Sequence, residues 1–226
     1  MRELNALKAE IANLNATKAE NSNLNANLNA MKAEMSILKS TVSKQQNGGS
    51  GAVFTRWGKR SCPGNSTQIY AGFMAGSWYD DTGSGSNFLC LPTDPLWGHY
   101  NDRPSTSTAH IYGTEYQTLE FAPTLTNEDA PCSVCRADAA STVLMIPGRN
   151  KCYTGWNMKY NGYLVAGFWG YKKSEYLCLD SSPDVIYGGH TDLNGAVIYS
   201  VEGVCGSLPC PPYVNARELT CVVCSK

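Results

Sequence analysis

The sequence predicts a mainly β, disulfide-rich head, a tandem of two similar subdomains, set behind an N-terminal α-helical coiled coil. Three observations predict it. Cysteines recur at one spacing in two successive stretches. The runs between them are short, rich in β-formers and punctuated by Gly, Pro, Tyr and Trp. The first 45 residues carry a heptad of apolar side chains and hold no Cys, Pro, Gly or aromatic residue.

The heptad defines the first element, a stalk over residues 1–45. Leu4, Leu7, Ile11, Leu14, Thr17, Asn21, Leu24, Leu28, Met31, Met35, Leu38 and Val42 advance by alternating threes and fours, with one doubled three after Ile11. The mean step is close to 3.5, the period of a left-handed coiled coil, and the doubled three is a local phase slip that overwinds it. Asn, Ala, Lys and Glu fill the remaining positions as a solvated face. The other reading of such a stripe is a single amphipathic helix lying on the globular part. A narrow stripe favours self-association, because an isolated helix gains little in water. Asn21 and Thr17 trade stability for register, and the Leu/Met/Ile mixture does not separate dimer from trimer. After Val42 the pattern stops, and a flexible Gly/Ser-rich linker is expected over 46–52.

The head reads as subdomains 53–140 and 141–226. Cys62 to Cys90 is 28 positions and Cys152 to Cys178 is 26; Cys90 to Cys132 is 42 and Cys178 to Cys221 is 43. Each run closes on a C-x-x-C pair, Cys132/Cys135 and Cys221/Cys224. Tyr70 and Gly72 follow Cys62 as Tyr160 and Gly162 follow Cys152, FLCLPTDP (88–95) answers YLCLDSSPD (176–184), and IYGTE (111–115) answers IYSVE (198–202). Strands are expected in QIYAGF (68–73), TVLMIP (142–147), YLVAGFWGY (163–171) and AVIYSV (196–201).

Composition narrows the function. The net charge is −1 over 226 residues, so no basic footprint argues for nucleic acid. No apolar run reaches the length of a membrane span. Ten cysteines, all after residue 60, point to an oxidising compartment and a secreted protein. The opening MRELNALKAE is charged and helical in character rather than leader-like.

FTRWGKRSCPG, QIYAGF, LCL and PCSVC, followed by IPGRNKCYTGW, YNGYLVAG, LCL and LTCVVC, resemble the C-terminal non-collagenous domain of type IV collagen. Closer still, they are similar to the secreted invertebrate proteins called short-chain collagen C4-like. The resemblance covers 53–226. It implies a β-rich tandem that trimerises by exchanging strands, directs matrix assembly, and has no catalytic site and no cofactor. By the family pattern Cys62 pairs with Cys135, Cys90 with Cys132, Cys152 with Cys224 and Cys178 with Cys221, which leaves Cys205 and Cys210 to each other. Two features depart from the family. No Gly-X-Y run is present, so there is no collagen triple helix, and the first half has four cysteines where the family has six.

Other chemistry is weaker. The two C-x-x-C pairs have zinc-ligand spacing but stand 85 or more positions apart, at matching ends of a repeat. His99, His110 and His190 fall in no ligand motif. Glu115 and Glu202 hold equivalent positions, which reads as a structural salt bridge or cap. The aromatics Trp97, His99, Tyr100, Trp169 and Tyr171 crowd among glycines. Such faces stack on sugars, and are the candidate ligand contacts; they equally fill a core or anchor subunit contacts, the explanation that the recurrence Phe73/Tyr163 favours. Asn65 and Asn15 head N-glycosylation triplets. The expected function is a secreted, non-enzymatic homo-oligomer, a trimer by resemblance, that builds extracellular matrix; the alternative is a soluble lectin-like protein binding glycans or microbial surfaces.

Overall fold

The computed structural model describes residues 2–47, 51–103, 105 and 107–226; in the helix, side chains are described through residue 40. The chain divides into two compact units, 1–49 and 50–226.

The first unit is a single helix, α1 (Arg2–Asn47). Leu4, Leu7, Ile11, Leu14, Leu24, Leu28, Met31, Met35 and Leu38 are each 48–68% exposed, an apolar seam left open to solvent. The side chain of Val42 lies outside the described residues. The Thr17 hydroxyl donates to the Asn13 carbonyl at 2.9 Å, so it enters the seam with its donor already satisfied. Both ends of the linker expected over 46–52 belong to regular elements. Asn47 ends the helix and Gly51 opens β1, with 48–50 outside the described residues. Nothing in Lys44-Gln45-Gln46 opposes a helix, and Gly51 and Ala52 are taken up by a ladder to Asp138 and Ala137.

The second unit is a ten-stranded sheet. Its strands are β1 (Gly51–Trp57), β2 (Ser66–Gly76), β3 (Leu89–Pro92), β4 (Tyr112–Tyr116), β5 (Pro131–Asp138), β6 (Val143–Pro147), β7 (Asn157–Ala166), β8 (Leu177–Asp180), β9 (Ala196–Ser200) and β10 (Thr220–Ser225). They run β6-β10-β7-β8-β1-β5-β2-β4-β9, with β3 on β2 and a further pairing of β7 with β9. That last pairing closes a circuit of seven strands, from β7 through β1 and β4 back to β7. Pro131 and Pro147 sit at strand ends, where a missing N–H costs least. The run 163–171 does not stay extended. β7 stops at Ala166, because the Gly167 N–H turns to the Ser174 hydroxyl (2.8 Å) and the Tyr171 N–H closes a turn on the Phe168 carbonyl (2.9 Å).

Four antiparallel pairings within residues 51–138 have counterparts within 143–225: β1–β5 with β6–β10, β2–β5 with β7–β10, β2–β3 with β7–β8, and β2–β4 with β7–β9. Details match. Met74 faces Cys90 as Leu164 faces Cys178. Ile69 and Lys159 are the residues skipped at the bulges of β2 and β7. A Cβ on Gly72 would lie 1.8 Å from the Leu91 carbonyl oxygen, and one on Gly162 would lie 1.7 Å from that of Leu179, so both ladders require glycine.

Five disulfides lock the sheet: Cys62–Cys135, Cys90–Cys132, Cys152–Cys224, Cys178–Cys221 and Cys205–Cys210. The first four are the pairs that the resemblance implies, and Cys205–Cys210 is the pair that they leave over. With every cysteine oxidised, no thiolate is left for zinc or for dithiol chemistry.

The halves do not stand apart. β1 meets β8 in parallel at Trp57 and Leu179, and β4 runs parallel to β9. One core joins Met74, Cys90, Tyr116 and Leu119 to Val165, Leu179 and Ile198; the other joins Phe54, Cys135 and Ala137 to Tyr160, Leu164 and Val223. Polar groups reinforce the seam between halves. Arg56 holds the buried Asp180 carboxylate at 2.7 and 2.8 Å, and Lys59 holds Asp184 at 2.8 Å. The Tyr116 hydroxyl donates to the Asp184 carbonyl at 2.9 Å, and burial pushes that phenol well above its ordinary pKa.

Candidate functional site

The two connections that follow β2 and β7 are laced together. Lys172 N–H donates to the Tyr79 carbonyl (3.1 Å), Glu175 N–H to the Ser86 carbonyl (2.9 Å), and Phe88 N–H to the Glu175 carboxylate (3.2 Å). On this frame sits a continuous chain of rings. Trp78 touches Tyr79 (4.9 Å between centroids), Tyr79 touches Tyr171 (4.5 Å), and Tyr171 touches Phe168 (5.3 Å). Phe168 then contacts Trp169 (5.2 Å) and Tyr199 of β9 (5.5 Å). The tilted and edge-on geometries match the preference of aromatic quadrupoles. Burial first, then the hydrogen bond with Tyr171, pushes the Tyr199 hydroxyl up to about 12.

Grooves flank this chain of rings. One, of about 310 Å³, lies between the 77–88 connection and Tyr171–Ser174, with Asp81, Lys172 and Lys173 in its wall. The other, of about 560 Å³, is walled by Phe168, Trp169, Tyr176 and Tyr199 and by the carboxylates of Glu120 and Glu202, with Thr118 and Ser200 supplying hydroxyls.

Of the aromatics singled out from the sequence, Trp169 and Tyr171 meet in this cluster. Trp97, His99 and Tyr100 do not. They lie in the exposed connection between β3 and β4, and among the described residues Trp97 and Tyr100 make no ring contact. The expectation that these aromatics fill a core fails for several of them: Trp97 is 77% and Trp169 90% exposed, and Phe73 is also exposed. β2 turns Phe73 outward, while its counterpart Tyr163 stacks on Phe121 at 4.1 Å.

Phe168 and Tyr199 join the cluster without having stood out in the sequence. Tyr199 comes from a strand 30 residues from Trp169, and only the β7–β9 pairing, Ala166 opposite Tyr199, brings it there.

The two glutamates at equivalent positions also part company. Glu115 is 2% exposed, forms no ion pair among the described residues, and caps the 193–195 turn by accepting the Leu193 N–H at 3.1 Å; its second oxygen has no partner among them. Burial raises its pKa, against backbone N–H groups that lower it. Glu202 is exposed and faces the groove, so the salt bridge or cap expected there is absent among the described residues. Asn65 is exposed in the turn before β2, and Asn15 is exposed on α1.

No protein-family model matches the chain. Within the described residues, no helix is long and apolar enough to cross a membrane.

Proposed function

We propose that this is a secreted, non-enzymatic oligomer that takes part in extracellular assembly, with α1 gathering several heads. One observation carries the reading: nine apolar seam residues project from a 46-residue helix, all exposed. Each buried Leu contributes about 1.5–3 kcal/mol, and a second and third copy of the same stripe is the natural cover for it. Five disulfides favour the extracellular space. The matching ladders, bulges, bridges and close-approach glycines support a duplicated unit, subdomains 53–140 and 141–226, akin to the non-collagenous domain of type IV collagen. The count of three chains rests on the resemblance to short-chain collagen C4-like proteins, as does the matrix role. Asn65, and Asn15 on the flank of the rod, are the proposed glycan attachment points.

The test is sedimentation of the full chain against a Leu24→Asp/Leu28→Asp variant. The wild type is expected to run at three times the chain mass and the variant at one. A variant that keeps the full oligomer mass refutes the stalk as organiser.

A second reading, recognition of glycans by clustered heads, is favoured by the exposed Trp169 in its groove. Clustering turns weak single contacts into avidity. Saturable glycan binding that is lost in Trp169→Ala supports it; assembly with no glycan binding favours the matrix role alone.

A further inference from the structure

We propose that the groove walled by Trp169, Phe168, Tyr176, Tyr199, Glu120 and Glu202 binds an organic ammonium cation. The proposal rests on the recognition reading and narrows its ligand. At about 560 Å³ the groove is of the size that holds a small organic molecule. Its walls are aromatic, and the faces of aromatic rings carry negative charge density and attract cations, Trp most of all. A neutral sugar would stack on the same rings, so the walls alone do not choose the ligand. The carboxylates do.

Glu120 and Glu202 both face the groove. Among the described residues no Lys or Arg lines it, and neither carboxylate has an ion-pair or hydrogen-bond partner. A concave, low-dielectric wall concentrates the field of two such charges.

The rest of the head shows what a satisfied site looks like. In the groove around Tyr213, Arg149 already lies over the Tyr153 ring at 4.1 Å, and Arg56 lies 5.8 Å from the Tyr160 ring. The smaller groove beside Tyr171 mixes Asp81 with Lys172 and Lys173. Of these grooves, only the one at Trp169 combines exposed aromatic side chains with unpaired negative charge and receives no cation from the described chain. A primary amine on a sugar and a quaternary trimethylammonium group share this chemistry.

The experiment is calorimetric titration of the full-length protein with choline, glucosamine and N-acetylglucosamine, at low and at high sodium chloride. The two cations are expected to bind saturably, at least tenfold tighter than the neutral sugar, and to weaken as salt screens the carboxylates. Trp169→Ala and the double variant Glu120→Gln/Glu202→Gln are each expected to lose about tenfold. Trp169 and both glutamates are exposed, so neither variant threatens the fold, and Trp169→Phe should restore part of the affinity. Tighter choline binding assigns the ammonium to a quaternary headgroup, and tighter glucosamine binding assigns it to an amino sugar. N-acetylglucosamine binding as tightly as glucosamine, unmoved by the glutamine substitutions, overturns the cation assignment and leaves glycan recognition standing. Failure of all three probes to bind overturns the assignment outright.

Discussion

Removing the inner disulfides one at a time tests whether the two halves are built alike. Cys90–Cys132 spans 42 positions and Cys178–Cys221 spans 43, but each lies within an outer bridge. With Cys62–Cys135 closed, the path from Cys90 to Cys132 is 28 positions to Cys62 and 3 back from Cys135; in the second half it is 26 and 3. Both inner bridges therefore close effective loops of roughly 30 residues, which the chain-entropy relation converts to about 3.6 kcal/mol at 25 °C. Cys205–Cys210 closes only 5 positions, worth about 2 kcal/mol by the same relation. Cys132 and Cys221 are fully buried, so alanine there also leaves a cavity and adds to the loss.

Urea denaturation followed by tryptophan fluorescence should place Cys90→Ala/Cys132→Ala and Cys178→Ala/Cys221→Ala within about 1 kcal/mol of each other. Both should fall well below Cys205→Ala/Cys210→Ala in stability. If one inner pair is lost almost without cost while the other is not, the equivalence of the halves is refuted; if the small loop costs as much as both, the loop-entropy reasoning is refuted.

Further outcomes follow from other contacts. Gly72→Ala and Gly162→Ala should each lower stability by about 1–3 kcal/mol or more in thermal unfolding, because the new methyl meets a backbone oxygen; Gly64→Ala, with open space around it, should be near neutral. Arg56→Ala strands the buried Asp180 carboxylate and should cost on the order of 3 kcal/mol, recovered in part by adding Asp180→Asn. Glu115 has a folded pKa above its ordinary 4.5, so its contribution is greatest below that value and is lost as pH rises through the folded pKa. Glu115→Gln should therefore be more stable than wild type at neutral pH, with the gain vanishing below about pH 4; a variant less stable than wild type at neutral pH contradicts this. Asp184 has the opposite sign. Burial works against its charge, but Lys59 and the Arg60 N–H hold the pKa below normal, so its stabilisation is present at neutral pH and is lost on acidification. Asp184→Asn should flatten the acid limb of the stability profile.

Much of this architecture could be read from residue spacing. Gly72 and Gly162 lie at one offset from Cys62 and Cys152, and that offset is where a strand crosses too close for any side chain. The helix was legible because a period of 3.5 needs no tertiary information. Other features were not legible. The bounds expected for the linker, 46–52, were too wide at the C-terminal end because turn-forming composition does not reveal a ladder waiting at Ala137 and Asp138. The strand expected through Trp169 failed because a run of aromatics suits an extended chain and a tight turn equally, until Ser174 supplies the acceptor. The Trp169 groove joins residues from four separate segments, and parallel strand pairs such as β4–β9 have no local signature at all.

The closed circuit of strands has a consequence for biosynthesis. β4 finds its parallel partner in β9, and β1 finds one in β8, so the N-terminal half leaves the ribosome with two of its neighbours still untranslated. During that interval Met74, Tyr116 and Leu119 lack the Val165, Leu179 and Ile198 that later cover them. The first core stays uncovered until β9 has emerged, and the second waits for β10, whose Cys221 and Cys224 close the last two long bridges. The exposed apolar surface of a half-made head is therefore an aggregation hazard until almost the whole chain is present.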